Sequence, residues 1–230
     1  MKKILFALCA TCAVILTFSC KKNEPKEDPY NGHEYVNLGL SVNWATCNIG
    51  ASSAADYGSY FAWGEAEAKE NYSWGTYKLG NYNESATPDY GLTKYYSGDG
   101  LKTLVAADDP ATVAWKGKWR TPTIDEIKEL FDNCSLTWTT QKNSKGEDIN
   151  GYLLTSKVAG FEGNSIFLPA AGYGENGESK MVNEGGDYWA STLNEHNFAK
   201  AYFFYFDDEI YSWSDTEERF YGQSVRAVAK

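Results

Sequence analysis

Downstream of Cys134 the chain is a series of short runs with high β propensity, separated by turn residues. The turns pair glycine with Lys, Asn or a second glycine, as at Lys145-Gly146, Asn176-Gly177 and Gly185-Gly186. Seven strands are predicted here: Leu136–Gln141, Gly151–Lys157, Ser165–Ala171, Asp187–Ser191, Lys200–Asp207, Ile210–Ser214 and Gln223–Ala229. Because tight turns join antiparallel neighbours, this part of the chain predicts a mostly antiparallel meander.

The upstream part adds strands and a long irregular region. Alternating apolar and polar residues predict strands at Glu34–Leu40 and Ser41–Cys47, and a third β-prone run covers Tyr57–Trp63. From Glu65 to Leu104 the sequence is rich in Tyr, Asn, Gly and Ser without periodicity, which predicts long ordered loops of the kind that often bind ligands.

Two helices are predicted in the middle of the chain. Asp109-Pro110 places a capping residue before a proline at the first helical position of a short helix. The main helix begins at Thr123, which forms a capping box with Glu126, and its apolar stripe contains Ile124, Ile127, Leu130 and Phe131. Strands followed by helices and then a strand meander predict an α+β domain.

The N-terminal segment has the pattern of a sorting signal. Lys2 and Lys3 precede an apolar run from Ile4 to Phe18 that is short for a membrane span and leads into Cys20. This resembles a bacterial lipoprotein signal, in which the cysteine is acylated and becomes the new N-terminus; the alternative is a secretory signal cut nearby. The prediction is a signal peptide at 1–20, a disordered tether at 21–33 and a single domain at 34–230. Cys20 would anchor the protein to the bacterial outer membrane, and the polar tether resembles that of surface-exported lipoproteins of the Bacteroidetes type.

The charge of the chain excludes one class of partner. The net charge is −10, with Lys and Arg numbering 21 against 31 Asp and Glu. Such an acidic chain is repelled by phosphate backbones, so we expect no nucleic acid partner.

After signal removal and lipidation, Cys47 and Cys134 are the cysteines left in the domain. Export to an oxidising compartment permits a disulfide, which would stabilise the fold by about 4 to 5 kcal/mol on the chain-entropy model. Two buried thiols are the alternative, since the sequence does not show whether the two Cα atoms lie within about 7 Å.

Seven motifs occur in one order along the domain. They are Trp44-Ala45-Thr46, Asn48-Ile49-Gly50, Tyr60-Phe61-Ala62-Trp63-Gly64-Glu65, Trp119-Arg120-Thr121-Pro122-Thr123, Ile166-Phe167-Leu168-Pro169-Ala170-Ala171-Gly172, Tyr188-Trp189-Ala190-Ser191-Thr192 and Ser224-Val225-Arg226-Ala227-Val228. Together they resemble the Fibrobacter succinogenes major paralogous domain family of exported bacterial lipoproteins. That family is similar to the formylglycine-generating enzyme domain, and the resemblance implies a C-type lectin-like fold.

Enzyme motifs are weak in this chain. The formylglycine-generating enzymes use a reactive cysteine pair near their C-terminal end, and no cysteine occurs from Ser135 to Lys230, which excludes thiol oxidase chemistry. His33 and His196 are the two histidines, and no metal or nucleophile motif surrounds them. A glycosidase needs two opposed carboxylates, but the 31 acids are read as solvated surface groups. We therefore expect no enzyme activity and no cofactor.

The arginines Arg120 and Arg226 are interpreted as structural. They are two of three arginines in a chain that otherwise uses lysine. A planar guanidinium satisfies buried carbonyl and carboxylate oxygens where geometry is fixed. The alternative is that these arginines bind a carboxylate of a ligand.

One constellation suggests a Ca²⁺ site. Sugar-binding C-type lectins hold Ca²⁺ with a Glu-Pro-Asn loop and a later Trp-Asn-Asp, and this chain has Glu195-His196-Asn197 and Trp213-Ser214-Asp215. The oxygens of Glu195, Asn197 and Asp215 suit Ca²⁺. His196 replaces the proline and Ser214 replaces an amide ligand, so the alternative is a polar loop beside a core tryptophan.

The aromatic content suggests binding through ring faces. The chain has 8 Trp, 17 Tyr and 11 Phe, most of which we expect to be buried, with an exposed ligand-binding subset drawn from Trp74, Tyr77, Tyr95 and Tyr211. The leading hypothesis is a non-enzymatic binding or adhesion module for glycan or protein. The alternatives are a surface polysaccharide hydrolase and a structural envelope component without a small ligand.

Overall fold

The computed structural model describes residues 28–230, which form mostly antiparallel β-sheets with few short helices. The elements upstream are β1 (Tyr35–Val36), β2 (Asn43–Ala45), a 3-10 turn (Trp74–Thr76), α1 (Pro110–Trp115) and α2 (Ile124–Asn133). The elements downstream are β3 (Cys134–Lys142), β4 (Asp148–Ser156), β5 (Ser165–Pro169), β6 (Tyr173–Glu175), β7 (Glu178–Lys180), β8 (Gly186–Leu193), β9 (Lys200–Phe206), β10 (Tyr211–Glu218) and β11 (Val228–Ala229).

Two three-stranded antiparallel meanders form most of the sheet structure, in the orders β3-β4-β5 and β8-β9-β10. The hairpin β6-β7 lies between them in the chain. Its turn residues Asn176 and Gly177 have φ of 50° and 83°, the left-handed values that a two-residue hairpin turn requires. A small third sheet, β1-β2-β11, brings the two ends of the domain together. The predicted antiparallel meander is confirmed.

The main helix forms as predicted. Thr123 Oγ1 accepts from the Glu126 amide at 3.3 Å, and Glu126 Oε2 accepts from the Thr123 amide at 2.9 Å. Arg120 donates to both oxygens of the same carboxylate, which stabilises the start of α2. The fully buried Ile127 and Leu130 pack the helix against one face of β8-β10. The shorter helix α1 is capped by Asp109, which accepts from two amides of its first turn.

The sheet β8-β10 separates two cores. One face carries Tyr188 and Phe204, which pack with α2. The opposite face carries Trp189 and Ala201, which pack with a second cluster that includes Trp63. Because strand side chains alternate between faces, the β8 sequence places consecutive aromatic residues into different cores.

The arginines of the domain are structural, as interpreted for two of them. Arg226 is fully buried, and its guanidinium donates to Asn48 Oδ1 and to the Phe167 carbonyl at 2.9 Å each. The third, Arg219, is fully buried, and its Cζ lies 4.9 Å from the centroid of the Trp63 ring. Its guanidinium donates to three backbone carbonyls. A buried guanidinium with carbonyl partners fixes the loops that supply them.

Four predicted strands are wrong over most of their length. Of Glu34–Leu40 and Ser41–Cys47, only the short β1 and β2 form strands. In Tyr57–Trp63 only Phe61 makes a bridge, because Gly58 has φ of 78° and interrupts the extended chain. In Gln223–Ala229 only β11, which pairs with β2, forms a strand. Gln223 and Ser224 make single bridges to Phe61 and Tyr188.

The folded domain includes residues assigned to the tether. The Pro29 carbonyl accepts from the Lys118 amide at 3.0 Å. The Tyr30 carbonyl accepts from Trp119 Nε1 at 2.8 Å. His33 stacks on Trp115 with ring centroids 4.0 Å apart. The predicted tether 21–33 is therefore wrong for its last six residues, since aromatic packing and hydrogen bonds hold them on the domain.

Cys20 and the predicted signal peptide lie outside the described residues. Within residues 28–230 no helix is both long enough and apolar enough to cross a membrane. Cys47 and Cys134 are both free thiols, the first half-buried and the second buried in the core beneath α2. Burial raises the pKa of Cys134 to about 11. Of the two alternatives, a disulfide or two thiols, the structure therefore contains two thiols.

Candidate functional site

The candidate site is built where the segment Gly222–Ser224 crosses the molecule. The amide and carbonyl of Gln223 pair with Phe61 at 3.1 and 2.9 Å. The first residue of the segment pairs antiparallel with Gly174, and the last pairs parallel with Tyr188. Three distant parts of the chain therefore meet at one extended segment.

Alternation along these strands places four side chains on one face. In the antiparallel pair Tyr173 lies across from Gln223, and in the parallel pair Asp187 lies beside it. Tyr221 shares the same face, and its ring centroid lies 5.6 Å from that of Tyr173 with the planes at 79°. The sequence positions of these residues are far apart, and the crossing alone brings them together.

Two glycines let a tyrosine ring pack against the face of these strands opposite the four side chains. A Cβ at Gly174 or at Gly222 would lie 2.7 or 2.6 Å from Cδ2 of Tyr72. The Tyr72 ring therefore lies directly against the two backbones, and its hydroxyl donates to the Tyr60 carbonyl at 2.5 Å. Since the back is sealed by Tyr72, the polar side chains are confined to the opposite face.

Gln223 and Asp187 are buried polar groups that lack partners. Gln223 is 0% exposed, and neither its Nε2 nor its Oε1 has a hydrogen-bond partner within residues 28–230. Asp187 is 9% exposed, and over the same residues no hydrogen bond or ion pair is made by its carboxyl group. Buried polar groups in folded proteins are normally paired, so these two side chains have hydrogen-bonding capacity that residues 28–230 leave unused. We name Asp187, Gln223, Tyr173, Tyr221 and Glu217 the Asp187 site.

Electrostatics at the site favour a neutral acid. Burial, and secondarily the nearby charge of Glu217, raises the pKa of Asp187 to about 7. Glu217 lies on the same face of β10, since its partner Ala201 and the Asp187 partner Tyr205 alternate onto one side of β9. The two acids are two strands and four positions apart, so they act on each other through space rather than by a hydrogen bond.

The rim of the site is also acidic. Tyr221 Oη lies 3.2 Å from Glu175 Oε1, and the other oxygen of Glu175 pairs with Lys180. Burial and neighbouring carboxylates raise the pKa of Tyr173 and of Tyr221, so both phenols stay neutral. Near neutral pH the site presents two tyrosine rings, an amide with free donors and acceptor, and a carboxyl that both donates and accepts. These groups suit a hydroxyl-rich ligand with an apolar face.

Two of the aromatic residues predicted to be exposed are buried. Tyr77 is 5% exposed and its hydroxyl donates to the Trp63 carbonyl at 2.7 Å. Tyr95 is 0% exposed and its hydroxyl donates to Asp108 Oδ2 at 2.6 Å. The prediction was wrong for both because their rings surround Arg219.

The other two aromatic residues lie apart from each other and from the Asp187 site. Trp74 is half-buried and stacks on Tyr82 at 4.2 Å in the long loop region. Tyr211 is 50% exposed and stacks on Phe131 of α2 at 5.3 Å. The structure does not gather the predicted aromatic set into one surface.

The residues predicted to bind Ca²⁺ do not converge. Glu195 pairs with Lys102 at 2.7 Å, and Asn197 Oδ1 accepts from the Ala199 amide at 3.0 Å, both beside the β8-β9 turn. Asp215 lies opposite Phe203 in β9, several positions along the strand from that turn. In the described part of the chain no group of three His, Cys, Asp or Glu side chains is arranged to hold a metal ion.

These residues instead match the alternative to a Ca²⁺ site, a polar loop beside a core tryptophan. Trp213 packs on the core below α2, and Glu195 to Asn197 form a polar turn. The match in spacing to the lectin motif therefore does not correspond to a match in space.

Sequence reasoning missed the Asp187 site. One signal was present: Asp187 is the single charged residue of β8, whose other residues are apolar or small. The sequence predicts it at the start of a strand after Gly185-Gly186, where an acidic residue is ordinary. Nothing local in the sequence marks Gln223, because its neighbours come from elsewhere in the chain.

The comparisons with known proteins yield one match. A family model described as a domain of unknown function (DUF8237) matches residues 137–228. The matched segment contains all five residues of the Asp187 site. No curated protein matches the chain significantly. No solved structure matches it significantly.

Proposed function

We propose that this protein is an exported bacterial lipoprotein whose domain is a non-enzymatic glycan-binding module, with the Asp187 site as its binding surface. The observation that carries the proposal is the buried, unpaired amide of Gln223 and the carboxyl of Asp187, which has no hydrogen-bond partner within residues 28–230, beside the ring pair of Tyr173 and Tyr221. Sugar rings stack on aromatic faces while their hydroxyls hydrogen bond with amide and carboxyl groups. Free hydrogen-bonding capacity next to partly exposed rings supplies both kinds of contact.

The proposal also names a specific fold and family for the observed antiparallel sheets. We propose a C-type lectin-like fold and membership of the Fibrobacter succinogenes major paralogous domain family, supported by the seven ordered motifs of the sequence. The buried Arg226 lies in the last of these motifs, and its bonds to Asn48 and the Phe167 carbonyl support a framework role for that motif rather than a ligand contact. Attachment to the outer membrane through acylated Cys20 is proposed from the N-terminal pattern, and it would display the domain to extracellular polymers.

A glycan array probed with the mature chain carrying Cys20→Ser tests this function. We expect binding to a defined class of glycans, and we expect Tyr221→Ala and Asp187→Asn to weaken it by about tenfold or more because each removes a ligand contact. Tyr211→Ala is the matched control, since Tyr211 lies on the α2 side of the sheet and should bind as the wild type does. Absence of binding to every glycan, or equal loss in the control variant, would contradict the proposal.

A polysaccharide hydrolase is the second candidate, favoured by one observation. The Asp187 carboxyl, with a pKa raised by burial to about 7, is protonated over the range in which a general acid works. Release of reducing ends from a bound glycan, abolished by Asp187→Asn, would establish this activity. Binding of the same glycan with no release supports the non-enzymatic module.

A further inference from the structure

We infer that the Asp187 site selects glycans that carry a primary ammonium group, that is, amino sugars. The inference rests on the proposed function and adds the chemical class of the ligand. It begins with the charges that face the site, because a binding surface selects the ligand that satisfies its buried groups.

Among residues 28–230, the groups around Asp187 include no cation. The titratable side chains that affect it or are affected by it are Tyr60, Tyr173, Tyr188, Tyr205 and Glu217. Within residues 28–230 neither Asp187 nor Glu217 forms an ion pair with a lysine or arginine. Lys180, the cation at the rim, is paired with Glu175. The site therefore combines two carboxyl groups with no compensating charge.

A buried carboxyl without a cation is costly to ionise, and a ligand that brings a cation removes that cost. The loss of hydration that disfavours the Asp187 carboxylate is offset when an ammonium group donates to it directly. The rings of Tyr173 and Tyr221 also attract a cation through their faces. A ligand with a carboxylate would instead place a second negative charge beside that of Glu217 and make Asp187 still harder to ionise, so uronic acids and other acidic sugars are disfavoured.

Gln223 supplies the independent sign that a ligand enters. Its amide is fully buried, faces the same side as Asp187, and has both a free acceptor and free donors. An amino sugar carries an ammonium donor beside hydroxyl groups that donate and accept, which matches the acid and the amide together.

The test is a calorimetric titration of the mature Cys20→Ser chain with two matched probes, a glucosamine tetrasaccharide and an N-acetylglucosamine tetrasaccharide. The two differ at the nitrogen, which is charged in the first and neutral in the second. We expect the glucosamine form to bind about tenfold tighter or more at about pH 6, where its amine is protonated, which is the gain of a charge-assisted contact. Binding should release protons, since the ammonium group favours the ionised carboxyl of Asp187.

Variants separate a specific site from general attraction to an acidic protein. Asp187→Asn should reduce the ratio of the two affinities to about one, and Glu217→Gln should reduce it in part. Asp125→Asn removes the same charge on the exposed face of α2, across the sheet from the site, and should leave the ratio unchanged. An equal loss in Asp187→Asn and Asp125→Asn would overturn the inference.

The outcomes distinguish the inference from the function on which it rests. Equal or tighter binding of the acetylated probe, or array binding confined to neutral or acidic glycans, would overturn the amino-sugar inference and leave the glycan-binding proposal standing. Failure of both probes together with an empty array would overturn both.

Discussion

Asp187 makes the stability of the domain depend on pH in the direction opposite to most acids. Its pKa in the folded state, raised by burial to about 7, exceeds the unfolded value near 3.9, so the folded chain holds a proton that the unfolded chain has lost. This contribution is absent below about pH 4, grows as the pH rises, and is complete above about pH 7. The residue therefore destabilises the fold at neutral and alkaline pH unless a ligand pairs with it.

We predict that Asp187→Asn stabilises the domain by about 3 to 4 kcal/mol at about pH 8 and changes its stability little at about pH 4. The asparagine keeps the shape and cannot ionise. Urea unfolding of both proteins across this range measures the difference, and Asp125→Asn serves as the control. A difference that stayed constant with pH would mean that Asp187 is not the buried titrating group.

Gly222 shows a steric requirement that a single atom can test. A Cβ there would lie 2.6 Å from the Tyr72 ring, so Gly222→Ala should destabilise the domain by about 1 to 3 kcal/mol through displacement of that ring. Gly75→Ala is the matched control, because the nearest atom to its Cβ is Ser73 Oγ at 3.8 Å. Thermal unfolding compares the two, and equal melting temperatures would show that Tyr72 moves freely.

At the scale of elements, α2 shows how separate contributions support one helix. We predict that Thr123→Ala costs about 1 kcal/mol through loss of the cap. Ile127→Ala should cost about 2 to 5 kcal/mol, because Ile127 is fully buried and its removal opens a cavity in the core shared with β8-β10. Chemical denaturation of both variants gives the order, and a larger loss for the cap variant would contradict the packing assigned to α2.

Elements whose signals lie within a few neighbouring residues were predictable from the sequence. Segments whose backbone pairs with distant parts of the chain were not. The capping box at Thr123 and the Asn176-Gly177 turn each act within a few residues, and both occur as predicted. By contrast, Phe61 and the segment Gly222–Ser224 are β-prone but take partners from separate parts of the chain, one bridge at a time. A high β propensity predicts an extended backbone, but it does not predict which segments, or how many, will pair with that backbone.

At the scale of the whole molecule, the same distinction explains why the candidate site was missed. The Asp187 site exists because Gly174, Asp187 and Gln223 come from strands that are joined only by tertiary contacts. The predicted sites instead relied on spacing, as in Glu195 and Asp215, and on aromatic composition, as in Tyr77 and Tyr95. Spacing and composition do not fix which side of a sheet a residue faces, so these groups separated when the chain folded.

The proposed membrane anchor is also tested at the scale of the whole chain. Pro29 and Tyr30 bind the segment after α1, and in the sequence a short polar stretch separates them from Cys20. Each buried methylene of an acyl chain contributes about 0.8 kcal/mol, so the several chains proposed for Cys20 would hold the protein on a membrane for its lifetime. We predict that Cys20→Ser moves the protein to the soluble fraction of its native host, while Cys47→Ser, which removes a free thiol within the domain, remains with the membrane. Fractionation followed by immunoblotting measures both, and membrane retention of the Cys20→Ser protein would mean that a different segment anchors it.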